Sequence, residues 1–239
     1  MRSSAERVLA AINCRIVSCR LCPRLVAWRE RIALEKKREF AHCDYWGRPV
    51  PGFGDPNARL LVIGLAPAAH GGNRTGRMFT GDWSGRWLFR ALYRAGFANQ
   101  PSWERCDDGL RLKDCYITAV IHCAPPGNHP LPGEIARCNV YLREELRALR
   151  RVRVVVALGH IAFETYCRTA GLRPIPRFEH NGCYNGCPMV IASYHPSRQN
   201  TNTGRLTEEM LDAVFARAKA VLAGRNKACK LGGRDDRAG

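Results

Sequence analysis

Three groups of residues in this 239-residue chain have the types and spacing that chemistry requires. The first is a set of thiols. Cys19 and Cys22 form a C-x-x-C pair (CRLC), while Cys123 and Cys138 lie a hundred residues on, in segments that flank one loop. Four convergent thiolates suit a tetrahedral zinc or an iron–sulfur cluster. Cys14, Cys19 and Cys22 also give C-x4-C-x2-C, the plant-ferredoxin spacing. A strongly basic α/β chain speaks against that protein type. The second group is a glycine-rich stretch, GLAPAAHGGNRTGRMFTGDWSG (64–85), whose glycines let a ligand approach the backbone closely. It is neither a dinucleotide fingerprint nor a P-loop, because G-x-G-x-x-G and G-K-[ST] are both absent. The third is YHPSRQNTNTGR (194–205), where His195 leaves a strand, Pro196 stiffens the chain and Arg198 adds charge.

The elements that must position these groups alternate. RLLVIG (59–64), YITAVIH (116–122), VRVVVAL (152–158) and PMVIASY (188–194) predict four strands, the third a near-continuous apolar run, as in a sheet covered on both faces. Helices are predicted over 84–95, 134–149, 161–169 and 206–222; Ser84 is a possible N-cap of the first, and Gly96 and Gly171 are stops. The pattern implies a three-layer α/β/α unit around a central four-stranded parallel sheet, one domain over 1–223 followed by a basic flexible tail over 224–239. Ligands in such folds sit beyond the carboxyl ends of the strands. That directs attention to 65–83, 123–133, 159–160 and 195–204. Residues 1–40 carry basic amphipathic stretches, and 42–57, rich in Gly, Pro and aromatics, read as an irregular approach to the core. Cys14, Cys43, Cys106, Cys115, Cys167 and Cys229 read as buried fillers or incidental thiols. Cys183 and Cys187 form either a second pair or a turn between strands.

Lys and Arg total 38 against 21 Asp and Glu, a formal charge of +17, which implies a polyanionic partner unless it reflects a basic genome alone. No apolar run long enough for a membrane helix occurs, and the N-terminus lacks a secretory pattern. A cytoplasmic location is therefore expected, in which the 12 cysteines are ligands or buried thiols rather than a disulfide framework.

Taken together, G-L-A-P-A-x-H-G with R-M-F-T-G-D (77–82), H-P-S-x-Q-N-T (195–201) and C-A-P-P-G-N-H-P (123–130) resemble the uracil-DNA glycosylase superfamily, specifically its family 5, the iron–sulfur type B glycosylases. The resemblance spans roughly residues 15–222. It implies an N-terminal segment bound by a structural [4Fe–4S] cluster on Cys19, Cys22, Cys123 and Cys138. It also implies an enzyme that flips a damaged base from double-stranded DNA and hydrolyses its N-glycosidic bond, leaving an abasic site for base excision repair. The substrates implied are uracil, hypoxanthine and modified pyrimidines. The expected state is a monomer used at the nucleoid, without membrane partners.

By the same resemblance, Phe79 stacks on the flipped base, Gly64 and Leu65 line the pocket, and His195 donates to a base oxygen. Leu65, Ala66 and Ala119 stand where most of the superfamily places polar residues. Family 5 shares those departures, which fit a less selective pocket. Asp82 is then the candidate to orient water and favour an oxocarbenium ion, with Asn128 the second polar candidate. Read structurally, Asp82 is a turn or cap residue and Asn128 a turn residue. Arg198, Gln199 and Asn200 match the loop that enters the base stack. Arg74, Arg77 and His70 are expected at phosphates, with His70 alternatively in the pocket. The competing functions are a non-catalytic, metal-stapled damaged-DNA-binding module and an RNA-directed hydrolase.

Overall fold

The computed structural model describes residues 3–224, so nearly all of the expected basic tail lies outside the described residues. Two helices open the chain, α1 (Ser4–Val17) and α2 (Pro23–Glu35). The Ser3 hydroxyl caps α1 and Pro23 sits at the first position of α2, where its missing N–H costs nothing. After the short strand β1 (Phe53–Gly54) come β2 (Leu60–Gly64), α3 (Gly72–Thr75), α4 (Trp83–Ala95), β3 (Cys115–Ala119), α5 (Pro132–Ala148), β4 (Val154–Leu158) and α6 (His160–Thr169). The chain closes with β5 (Cys183–Tyr184), β6 (Met189–Ser193), α7 (Arg198–Asn202) and α8 (Glu208–Leu222).

The sheet has six strands in the order β1-β3-β2-β4-β6-β5, rather than the four expected. The four expected strands are its parallel centre, and β1 and β5 pair antiparallel at the two edges. Each edge strand is two residues long, too short to carry any periodicity. In the CYNGC segment Cys183 and Tyr184 form β5 and the residues after them turn into β6; Cys183 is disulfide-bonded and Cys187 is a free thiol, so the two do not pair with each other.

Both faces of the sheet are covered. In β2, Leu60 and Val62 join one core with Leu88, Leu92, Val214 and Phe215 from α4 and α8. Leu61 and Ile63 point the other way, into a second core with Leu9, Ile12, Leu142 and Phe163 from α1, α5 and α6. The period of two thus serves two apolar faces, which is why the strands read as continuous apolar runs. Packing of α1 on α5 is fixed at the surface by a bidentate Arg15–Glu144 pair at 2.7 and 3.1 Å.

From β2 the chain first moves to β3 on one side, then crosses back to β4 on the other. The crevice beyond the carboxyl ends of β2 and β4 is therefore the topological switch point, where open α/β sheets bind ligands.

Candidate active site and thiol cavity

Gly64 ends β2 and pairs with Ala119 at the end of β3. A Cβ at Gly64 would lie 2.6 Å from the Phe79 ring, so only glycine lets that ring rest on the strand exit. Phe79 itself has φ of 54°, a left-handed conformation that costs a bulky residue of order 1–3 kcal/mol. The surroundings hold it there. Its carbonyl oxygen would be 1.8 Å from a Cβ at Gly85, and Gly81 N–H donates to Trp103 O at 2.5 Å. The Phe79 ring stacks on the imidazole of His195, with centroids 6.0 Å apart and 28° between planes.

His195 follows β6 and lines a pocket of about 680 Å³ with Leu65, Gly159, Tyr194 and Asn200. These residues come from the exits of β2, β4 and β6, the switch point identified above. Asn200 Nδ2 donates to the His195 carbonyl at 2.8 Å, which fixes the backbone under the imidazole. Trp83 Nε1 donates to Thr201 Oγ1 at 2.7 Å and ties α7 to the start of α4. Burial pushes the His195 imidazole down to about 4, so it is neutral at physiological pH and carries one N–H donor. Residues of the segments 159–160 and 195–204 meet at this pocket, and Phe178 and Arg205 complete its wall without having been singled out.

Asp82 is the N-cap of α4: its Oδ1 accepts from Gly85 N–H at 2.9 Å. Ser84, the expected cap, lies within the helix. The second carboxylate oxygen, Oδ2, faces the Gly71 backbone, where a Cβ would approach to 2.5 Å. Burial raises the Asp82 carboxyl above its ordinary value, against the pull of two backbone N–H groups and the charge of Arg74. Asn128 stands exposed with φ of 61° at the tip of the 123–130 loop, outside the His195 pocket.

The cations divide. Arg198 and Gln199 are exposed at the start of α7, Arg198 lying 5.3 Å over the Trp83 ring. Arg77, expected at a phosphate, is 8% exposed, because a bidentate pair with Asp108 at 2.8 and 2.9 Å draws its guanidinium inward. It also donates to Arg105 O and Thr80 Oγ1, so it pins the Phe79 loop to the 101–109 loop. Arg74 is half-buried, bonded to His70 O and Gly81 O and stacked 3.9 Å over Phe40. His70 sits beside Tyr45, Nδ1 to hydroxyl at 3.1 Å, away from the His195 pocket.

Cys19, Cys22, Cys123 and Cys138 line one partly open cavity of about 360 Å³ between α2 and α5. Among the described residues, no three His, Cys, Asp or Glu side chains are grouped to hold a single metal ion. The cavity has an unusual occupant in its wall. Arg29, 2% exposed on the inner face of α2, donates from Nη1 to Cys123 Sγ at 2.9 Å. Its nearest carboxylate, Glu30, stands 3.7 Å away and is already paired with Arg20 at 2.5 Å. Arg137 Nε donates to Cys22 Sγ at 3.5 Å. Burial pushes the Cys123 thiol up to about 11, despite Arg29, so as a free thiol it is no counter-ion. Arg29 also donates from Nη1 and Nη2 to the Cys19 carbonyl at 3.3 Å, so its charge rests on a shared Glu30 and a neutral thiol adds little to offset it. The arrangement fits thiolates made anionic by a bound group, and four thiolates suit either zinc or an iron–sulfur cluster. Sequence reasoning missed Arg29. Its signal was a charged residue on the stripe Leu25, Val26, Ile32 that α2 buries.

Comparison with known proteins adds three findings. The family model for the uracil DNA glycosylase superfamily matches residues 51–219. Type-5 uracil-DNA glycosylases are similar over most of the chain: that of Mycobacterium leprae is 49% identical over 227 residues, 92% of this chain and 99% of the relative. That of Thermus thermophilus is 52% identical over 209 residues, 86% of this chain and 94% of the relative. A type-4 uracil-DNA glycosylase of Archaeoglobus fulgidus is 35% identical over 161 residues, 62% of this chain and 70% of the relative.

Proposed function

The chain belongs to the type-5 family of the uracil-DNA glycosylase superfamily, and from that premise we propose that it releases uracil from double-stranded DNA by hydrolysing the N-glycosidic bond, as a monomer in cytoplasmic base excision repair. Hypoxanthine and modified pyrimidines are proposed as further substrates. Leu65 and Ala119, at the exits of β2 and β3, offer no side-chain polar group that would select one base edge. The observation that carries the reading is the Phe79–His195 pair over Gly64 at the switch point.

A base inside a duplex is out of reach and must be extruded, at a cost of a few kcal/mol. A flat ring such as Phe79 offers a stacking partner of about 1–3 kcal/mol per base. The leaving base departs as an anion, and the sugar passes through an oxocarbenium-like state. Neutral His195 places one N–H where negative charge grows on a base oxygen, held by Asn200 beneath it. Asp82, with one oxygen spent on the α4 cap, keeps Oδ2 to orient water and to favour the positive sugar. Asn128 is assigned to the DNA side, and Arg198 and Gln199 to the segment entering the stack. Arg74 and His70 are assigned to the DNA side through the 64–85 stretch, where Arg74 bonds Gly81 O.

Cys19, Cys22, Cys123 and Cys138 are proposed to hold a [4Fe–4S] cluster. When bound, it supplies cross-links between the N-terminal segment and the 123–138 segment, and base hydrolysis asks no electron of it. Arg29 supports the assignment, as a buried cation aimed at one of the four sulfurs. Arg29→Met should therefore yield protein with reduced iron content and weakened visible absorbance. Full iron loading in the variant would remove Arg29 from the cluster, and a wild type holding one zinc would overturn the cluster itself.

The activity is tested by incubating the protein with end-labelled duplexes carrying one uracil, one hypoxanthine or only normal bases, followed by alkali. Strand breaks at uracil that appear only after alkali are expected. Tight binding to every duplex without alkali-labile sites would replace the enzyme with a damage-binding module.

A further inference from the structure

The end of the molecule opposite the base pocket carries a second concavity. A groove of about 1380 Å³ runs between the first two turns of α1 and the last turn of α5, closed at one side by Pro56. Pro56 precedes β2, and Arg150 and Arg151 precede β4, so the groove lies at the amino ends of the strands. Five residues of strand, about 16 Å, separate it from the switch point.

Its two sides differ in chemistry. The floor is apolar, formed by Ala5, Val8 and Ala148, with Val8 46% exposed. The rim is cationic. Arg147, Arg150 and Arg151 are all exposed, and among the described residues none of their guanidinium groups makes an ion pair or hydrogen bond. The rim's carboxylate, Glu144, is neutralised by Arg15 at 2.7 Å. Three unpaired guanidiniums within five residues repel one another, and they match carboxylates in a forked geometry. An apolar floor inside a cationic rim is complementary to a segment that carries both acidic and apolar side chains.

We propose that this groove docks a short acidic peptide with interleaved apolar residues, presented by another protein. Charge excludes two other occupants. A second copy of the chain brings +17, and the stretch 225–239 has five Lys and Arg against two Asp. Duplex DNA would satisfy the rim and leave the floor unfilled. Placed behind the base pocket, the groove lets a partner hold the protein while its opposite end engages DNA, so the proposal stands apart from the assignment of the reaction.

The test uses the full-length protein and a fluorescein-labelled decapeptide of alternating Asp and Leu or Phe, followed by anisotropy. Saturable binding is expected, weakened at least tenfold by R147E/R150E/R151E and by Val8→Asp. Release of uracil by both variants should match the wild type, which also shows that they fold. Absent binding, or equal binding of a peptide of Asp and Ser, would overturn the proposal. So would a triple variant that loses duplex affinity while keeping the peptide, since the rim would then serve DNA.

Discussion

Asp82 caps α4 with one oxygen and is proposed to serve the reaction with the other, and the two roles can be separated. Asparagine caps helices about as well as aspartate. Asp82→Asn therefore keeps the Gly85 bond and removes only the charge. Uracil release should fall by two or more orders of magnitude in single-turnover assays, with duplex affinity within about threefold of wild type; unchanged turnover would return Asp82 to a purely structural role. The pH profile separates Asp82 from His195. In its proposed role Asp82 acts as the carboxylate, so activity is lost as pH falls through its raised value. His195 acts as the neutral imidazole and stays so until pH about 4. The acid limb should therefore lie above the range of an ordinary carboxylate and vanish from the residual activity of Asp82→Asn. A limb persisting near 6.5 in that variant would mean an unperturbed histidine governs the rate.

At the scale of elements, the Phe79 turn is held from outside itself. Arg77, two residues before the strained position, reaches Asp108 and the carbonyl of Arg105 across the 101–109 loop. Arg77→Met leaves Asp108 half-satisfied and frees the turn to relax. Uracil release should drop tenfold or more while α4 and the sheet persist, as seen by circular dichroism; full activity would show that Gly81 and Gly85 suffice to hold Phe79. What the sequence made legible follows the same division. The parallel strands and the helices over them were readable because apolar spacing repeats over five residues or more. The Gly64 and His195 loops were readable because both leave strands of one sheet. Strands β1 and β5 were not, being two residues long and held by pairing alone. The inward turn of Arg77 was equally hidden, since its partner Asp108 lies 31 residues away. Ser84 and Asp82 are both good caps, and only the turn geometry chose between them.

For the whole molecule, charge is arranged rather than merely abundant. Some of the 38 Lys and Arg are held in internal pairs such as Arg77–Asp108, Arg59–Asp114 and Arg90–Asp212, which leaves the surplus of +17 on other cations. Arg198 remains exposed at the active-site end, and Arg147, Arg150 and Arg151 at the opposite one. Affinity for undamaged duplex should fall steeply with salt, with a log–log slope of about −3 or steeper, each phosphate contact contributing about 0.9. A flat profile would mean that the surplus charge serves something other than DNA.

The docking of α1 on α5 joins Arg15 to Glu144 across 129 residues of chain. During synthesis the first two helices leave the ribosome long before the surface that receives them. At about 5–20 residues per second, the wait is roughly 6–26 s. Through that interval Leu9, Ile12 and Ile16 lack the α5 residues Tyr141 and Leu142 of their core, and Cys19 and Cys22 lack Cys138. The nascent chain must cross this window unaggregated and unoxidised, so how much protein a cell obtains depends on the speed of translation and on chaperones as well as on the stability of the finished fold.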